Sequence, residues 1–187
     1  MNRIEFGPLV TQQRMSPKET KYFLNRFQSQ EKENINTELP DLFARGNMDP
    51  NDSNYNKILY RYIKRYIDIF GWKGGFKIKR LWGNIYRQGD FIPPHVHLSG
   101  DISFSLVLKM PPIEMLDQKK NEGCLILRYG EDPGGQAKIR PITNQFVLPK
   151  AGDLIIFPQN LLHYTIPMSN PKAERISISG NILLTEN

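Results

Sequence analysis

Residues 149–184 read PKAGDLIIFPQNLLHYTIPMSNPKAERISISGNILL. Short apolar or alternating runs, Asp153–Phe157, His163–Pro167 and Arg175–Leu184, are separated there by Gly152, Pro158 and Pro171. Runs of this length between Gly and Pro are strands rather than helices. The same texture extends upstream to Phe76. It predicts further strands over Phe76–Tyr86, His95–His97, Ile102–Met110, Cys124–Tyr129, Ala137–Arg140 and Asn144–Leu148. Roughly eight strands at this spacing make a β-sandwich or barrel rather than a parallel sheet.

The chain ahead of Phe76 reads differently. Ser16-Pro17-Lys18-Glu19 places an N-cap serine, a first-turn proline and a glutamate three residues after the cap, which is a capping box. Phe23 and Phe27 follow one turn apart and predict an aromatic stripe on the core. Past a polar break at Gly46–Ser53, a second helix shows Tyr55, Ile58, Leu59, Tyr62, Ile63, Tyr66, Ile69 and Phe70 at three- and four-residue steps, with Gly71 as its stop. Lys57, Arg61, Lys64 and Arg65 fill the other face: a solvated surface, or a nucleic-acid footprint. No boundary separates the two halves. We expect one domain over 1–187, mostly β with flanking N-terminal helices, the helices (about 1–75) supporting one sheet of a β core (about 76–187).

Composition narrows the classes. With 39% apolar and 11% aromatic residues among 187, the chain holds enough material for a core and is not disordered. No apolar run approaches the ~20 residues needed to span a bilayer, and the first residues lack a secretory apolar stretch, so a cytoplasmic protein is expected. One cysteine, Cys124, excludes a disulfide framework and a Cys-rich zinc site. A net charge of +6 permits an acidic partner without establishing one.

The three histidines are the informative residues. In an H-x-H pair on a strand, His95 and His97 point to the same face and can meet one metal, and His163 enters from a distant strand. Such a three-ligand site leaves coordination positions open for substrate and O2. Asp101 and Asp90 are alternative third ligands, with His97 then standing behind the metal; the break at Ser99-Gly100 weighs against Asp101. Farther on, Arg175 and Ser177 share a strand face, where a guanidinium and a hydroxyl can grip a carboxylate. An edge Arg175 paired with Glu174 or another acid is the plainer alternative.

The order H-x-ligand, His, Arg-x-Ser resembles the Fe(II)/2-oxoglutarate-dependent oxygenase superfamily. More closely, it is similar to the small 2OG-Fe(II) oxygenases of bacteria and of phages of marine cyanobacteria. The matching stretches run in order over about residues 76–184: Trp82-Gly83-Asn84-Ile85-Tyr86-Arg87-Gln88-Gly89-Asp90-Phe91, Pro94-His95-Val96-His97 with Ser103, Gly123-Cys124-Leu125, Pro149 to Pro158, and Leu162-His163 through Arg175-Ile176-Ser177-Ile178-Ser179-Gly180-Asn181.

The resemblance implies a double-stranded β-helix (jelly-roll) with Fe(II) in its open end, held by His95 and His163. Arg175, assisted by Ser177, would anchor the distal carboxylate of 2-oxoglutarate, with Tyr86 as a further contact or as core. Most of the superfamily carries Asp or Glu where this chain has His97; small relatives share H-x-H, which makes three neutral imidazoles the expected set. The implied cofactors are Fe(II), 2-oxoglutarate and O2, and the implied reaction is hydroxylation of a protein side chain or small molecule with release of succinate and CO2. A phage-encoded member would act in the host cytoplasm. No match to nucleic-acid demethylases is visible, and neither nucleic acid nor membrane is an expected partner. Two alternatives stay open: a non-enzymatic jelly-roll that binds metal or another ligand, and a three-His oxygenase that uses no oxoacid. The charged insertion Pro111–Glu122 reads as a surface loop or as a lid over the open end.

Overall fold

The computed structural model describes residues 7–33, 47–131 and 143–186. The capping box closes as its residues dictate. The Ser16 hydroxyl donates to Glu19 Oε2 at 2.7 Å, Ser16 N–H donates to the same oxygen at 3.1 Å, and Glu19 N–H donates back to Ser16 Oγ at 3.3 Å. Helix α1, Pro17–Glu33, starts there and buries Phe23 and Phe27. The Asp52 side chain caps α2, Ser53–Ile69, by accepting the Asn54 and Tyr55 N–H groups. Gly71, at φ 68°, turns the chain out of this helix into the first long strand.

The buried stripe of α2 is Tyr55, Leu59, Tyr62, Ile63, Tyr66 and Ile67. Ile69 and Phe70, expected on it, are 62% and 59% exposed. The turn at Gly71 ends the helix before the sheet can cover its last turn, so the apolar face closes on Ile67. On the opposite face Arg61 pairs with Glu19 and Lys64 with Asp68, which makes it a partly neutralised, solvated surface.

Strands are β1 Thr11–Arg14, β2 Asn47–Met48, β3 Gly75–Tyr86, β4 Ile102–Lys109, β5 Leu125–Arg128, β6 Asn144–Val147, β7 Asp153–Pro158, β8 Leu162–Thr165 and β9 Arg175–Thr185. They form a six-stranded antiparallel sheet, β1-β7-β4-β9-β3-β2, and a three-stranded one, β6-β5-β8. The short strands β1 and β2 carry no alternation that would have exposed them in the sequence. Ala137–Arg140 lies outside the described residues. His95–His97 is not a strand: its one ladder contact is an isolated bridge, His95 to His163, on the β8 edge of the small sheet. Pro93 and Pro94 explain this, because proline cannot donate to a ladder.

The continuous apolar run at β7 is buried on both faces. Leu154 and Ile156 join α1, α2, Ile176, Ile178 and Ile182 in the larger core. Ile155 and Phe157 turn the other way and meet Leu125, Leu127 and Leu161 of the small-sheet side. The two sheets form a double-stranded β-helix, with the helices packed on the outer face of the larger one. By the same two-residue period, β9 sends Ile176 and Ile178 outward and Arg175, Ser177 and Ser179 inward.

None of residues 111–122 lines the histidine cavity. They fold into two short 3-10 turns, Ile113–Met115 and Gln118–Lys120, and Glu122 accepts the Asp117 N–H at 3.0 Å. Leu116 packs there with Tyr86, Met168 and Ala173. No helix among the described residues is long and apolar enough to cross a membrane.

Candidate metal centre

His163 is the second residue of β8, and its backbone N–H and C=O both bond to His95 at 3.0 Å. This bridge brings the two distant histidine segments together. Each of the three histidines offers a nitrogen within 4.8 Å of the others. His97 Nε2 and His163 Nε2 are 3.2 Å apart. Two nitrogens bound to one ion at about 2.1 Å are separated by roughly 3.0–3.4 Å, so this pair is spaced to share a metal. His163 Nδ1 donates to Leu161 O at 2.8 Å and His95 Nδ1 to Pro93 O at 2.9 Å. Because carbonyls only accept, both rings keep the proton on Nδ1 and present the Nε2 lone pair.

Electrostatics hold the ligating form. Burial, with the neighbouring His95 and Arg80, lowers His97 to about 4. Burial also lowers His163 to about 3, against the Leu161 carbonyl, with His95 and His97 adding to the depression. Both imidazoles are neutral at ordinary pH, as metal ligation requires.

Asp101 is not in this group. Its Oδ2 accepts the Leu184 N–H at 2.8 Å, and the side chain faces an apolar groove with Tyr66, Phe70 and Trp72. The Asp90 carboxylate accepts the Arg87 N–H at 2.8 Å and closes a turn.

The histidines line a small cavity of about 50 Å³. Arg175 and Tyr86 line it as well, and the Arg175 guanidinium stands 5.2 Å from the Tyr86 ring centre. Arg175 is 2% exposed. Its Nη1 donates to Gly123 O at 3.1 Å, its Nε has no partner, and no carboxylate among the described residues pairs with it. Burial lowers its pKa, partly offset by Tyr86 and Cys124. Burial raises the Tyr86 phenol against the opposing pull of Arg175 and Ser177. Ser177 is buried opposite Asn84 on β3, and its Oγ makes no hydrogen bond of normal geometry. A buried, unpaired guanidinium beside orphaned polar atoms is costly unless an anion completes it. The cavity therefore suits a carboxylate at Arg175 and a metal at the histidines.

Sequence reasoning overlooked the walls. The Trp82 ring is centred 5.5 Å from His97 and Phe157 4.8 Å from His163; Ser105, Thr165 and Ser179 supply hydroxyls. Trp82 and Ser179 were findable, since counting in twos back from Tyr86 and on from Arg175 reaches both.

A jelly-roll enclosing such a pocket defines a class, the metal-dependent jelly-roll enzymes. The pattern of the family described as "Putative 2OG-Fe(II) oxygenase" matches residues 80–181, more than half of the chain, and the protein belongs to that family. It is an Fe(II)- and 2-oxoglutarate-dependent dioxygenase, with Fe(II), 2-oxoglutarate and O2 as cofactors. Solved structures share the fold. A prolyl-4-hydroxylase of Pseudomonas putida is 17% identical over 95% of this chain and 92% of its own, with a TM-score of 0.62. The viral collagen prolyl hydroxylase of Paramecium bursaria Chlorella virus-1, in its 2-oxoglutarate complex, is 14% identical over 95% and 96%, with a TM-score of 0.60. HygX of Streptomyces hygroscopicus, with nickel and 2-oxoglutarate bound, is 10% identical over 96% and 83%, with a TM-score of 0.60. No curated protein matches the chain by sequence.

Proposed function

We propose that His95, His97 and His163 hold the iron, and that Arg175, with Ser177 and Tyr86, anchors 2-oxoglutarate for hydroxylation of a C–H bond. The observation that carries this reading is the buried Arg175 without a carboxylate partner among the described residues. A three-His oxygenase without an oxoacid, or a simple metal-binding module, has no use for a desolvated guanidinium in the wall of the metal cavity. Three neutral imidazoles bring no negative charge, and a dianionic oxoacid balances both metal and guanidinium.

Iron with 2-oxoglutarate and O2 supplies oxidative decarboxylation coupled to C–H hydroxylation, giving succinate and CO2. The chain supplies the rest. Arg175 grips the far carboxylate, Tyr86 walls it in, and the Nδ1 bonds of His95 and His163 aim their rings. Trp82 and Phe157 shield the metal end from water.

We take the substrate to be a protein side chain, on the support of two proteins that share the fold and are named a prolyl-4-hydroxylase and a collagen prolyl hydroxylase. The packing of α1 and α2 on the large sheet supports treating the chain as one oxygenase domain, and a buried lone thiol, Cys124, agrees with a reducing cytoplasm that keeps iron ferrous. The test is anaerobic addition of Fe(II) and 2-oxoglutarate. A visible charge-transfer band, followed by succinate on admitting air, is expected. No band and no succinate would overturn the reading.

A further inference from the structure

The segment that carries His97 on into β4 is sparsely held. Leu98 is 90% exposed, and its backbone makes no hydrogen bond among the described residues. Three of the bonds that fix this segment go to one residue of the β7–β8 turn, Gln159. Its carbonyl accepts the His97 N–H at 3.0 Å, its side-chain Oε1 accepts the Gly100 N–H at 2.6 Å, and its own N–H donates to Asp101 O at 3.1 Å. The same turn leads directly to His163.

The histidines differ in how they are oriented. His95 and His163 have ring Nδ1 bonds to carbonyls and share a two-bond bridge. The His97 ring has no such Nδ1 bond among the described residues, so the course of its main chain sets where Nε2 falls. That course is pinned from below as well. Gly100 lies so close to β9 that an added Cβ would come within 2.7 Å of Ile182 O. Between His97 and Asp101 two side chains restrain the loop: the Gln159 amide takes the Gly100 N–H, and Asn181 Nδ2 donates to Ser99 Oγ at 3.0 Å.

We propose that Gln159 is a positioning residue of the metal centre, its side-chain carbonyl fixing the His97 loop so that His97 Nε2 meets His163 Nε2 at the spacing of a shared ion. The inference rests on the reading of His97 as a ligand. Without the amide, the Gly100 N–H loses its acceptor and the loop keeps only the Gln159 backbone bonds and the Ser99–Asn181 contact, which loosens the placement of His97 Nε2 while His95 and His163 keep theirs. The site then binds metal with two well-placed ligands in place of three.

Anaerobic Co(II) titration of the full chain, by calorimetry and by the visible ligand-field spectrum, tests this. Gln159→Met, similar in volume but without the acceptor, is expected to weaken binding roughly 10–100-fold and to alter the spectrum. Gln159→Glu keeps an acceptor for Gly100 N–H and is expected to restore the wild-type spectrum. In a His97→Ala background, Gln159→Met is expected to add no further weakening. Wild-type affinity in Q159M, or equal weakening in the presence and absence of His97, overturns the positioning role alone. Wild-type affinity in H97A overturns the ligand assignment and the inference with it. If Q159M does not fold, Gln159→Ala at this half-buried turn carries the same comparison.

Discussion

Glu174 and Arg175 are consecutive in the chain, yet they do not pair. Glu174 accepts from Lys109 Nζ at 2.9 Å and lies 3.4 Å from Arg87 Nε, outside the cavity. Arg175, one residue on, is buried inside it with a backbone carbonyl as its hydrogen-bond acceptor. Two other cations satisfy the obvious acid, and the guanidinium is left for a ligand.

Arg175→Ala is therefore expected to bind metal like wild type while losing affinity for 2-oxoglutarate. A charged hydrogen-bonded contact of about 2–3 kcal/mol corresponds to roughly a 30- to 150-fold rise in its KM. Metal titration and succinate release at varied 2-oxoglutarate check the two halves separately. An unchanged KM would mean that the anchor is elsewhere.

His163→Ala is expected to abolish metal binding, because it removes the imidazole that neighbours both partners. His97→Asp is expected to retain metal, since a carboxylate at that position still offers one oxygen to the ion. Asp101→Ala is expected to bind metal normally, its carboxylate being engaged by the Leu184 N–H. Metal loss in Asp101→Ala would move the third ligand to that position.

Glu174 has a pKa below the usual carboxylate range, held down chiefly by the Lys109 hydrogen bond, with the charges of Lys109 and Arg87 outweighing partial burial. A carboxyl with a depressed folded pKa stabilises the fold above its unfolded pKa and loses that effect as the pH falls through the folded value. Glu174→Gln is expected to lower Tm near neutrality by about 1–4 °C, for a contribution of about 0.5–1 kcal/mol. The gap between the two proteins should close in acid. A constant gap at all pH values would show that charge is not its source.

Gly83→Ala tests the seat of the helices. A methyl there would intrude on the Phe27 ring of α1, and the resulting strain should cost about 1–3 kcal/mol. Denaturant unfolding measures it, and a neutral result would mean that α1 can shift on the sheet.

Much of the site was legible because it is periodic or scarce. Three histidines in two segments and an Arg-x-Ser strand are visible without a fold. The capping box at Ser16 and the Phe23–Phe27 stripe are local signals, and both elements formed where they predict. The misses have physical causes. Proline kept His95–His97 from becoming a strand, and an early helix stop exposed Ile69 and Phe70. β1 and β2 exist because a neighbouring strand offers them an edge, a condition no local pattern encodes.

Sequence alone determined the strand-rich second half, the helices before it and the residues able to do the chemistry, because these follow from side-chain period and type. Tertiary structure decided which of them meet. Pairing His95 with His163 across the small sheet joins the two histidine segments, and the Leu184 N–H draws Asp101 away from them. Lys109 and Arg87 occupy Glu174, which leaves Arg175 buried and open to an anion. Each of these choices depends on competing partners far apart in the chain, and only the folded register brings those competitors within reach.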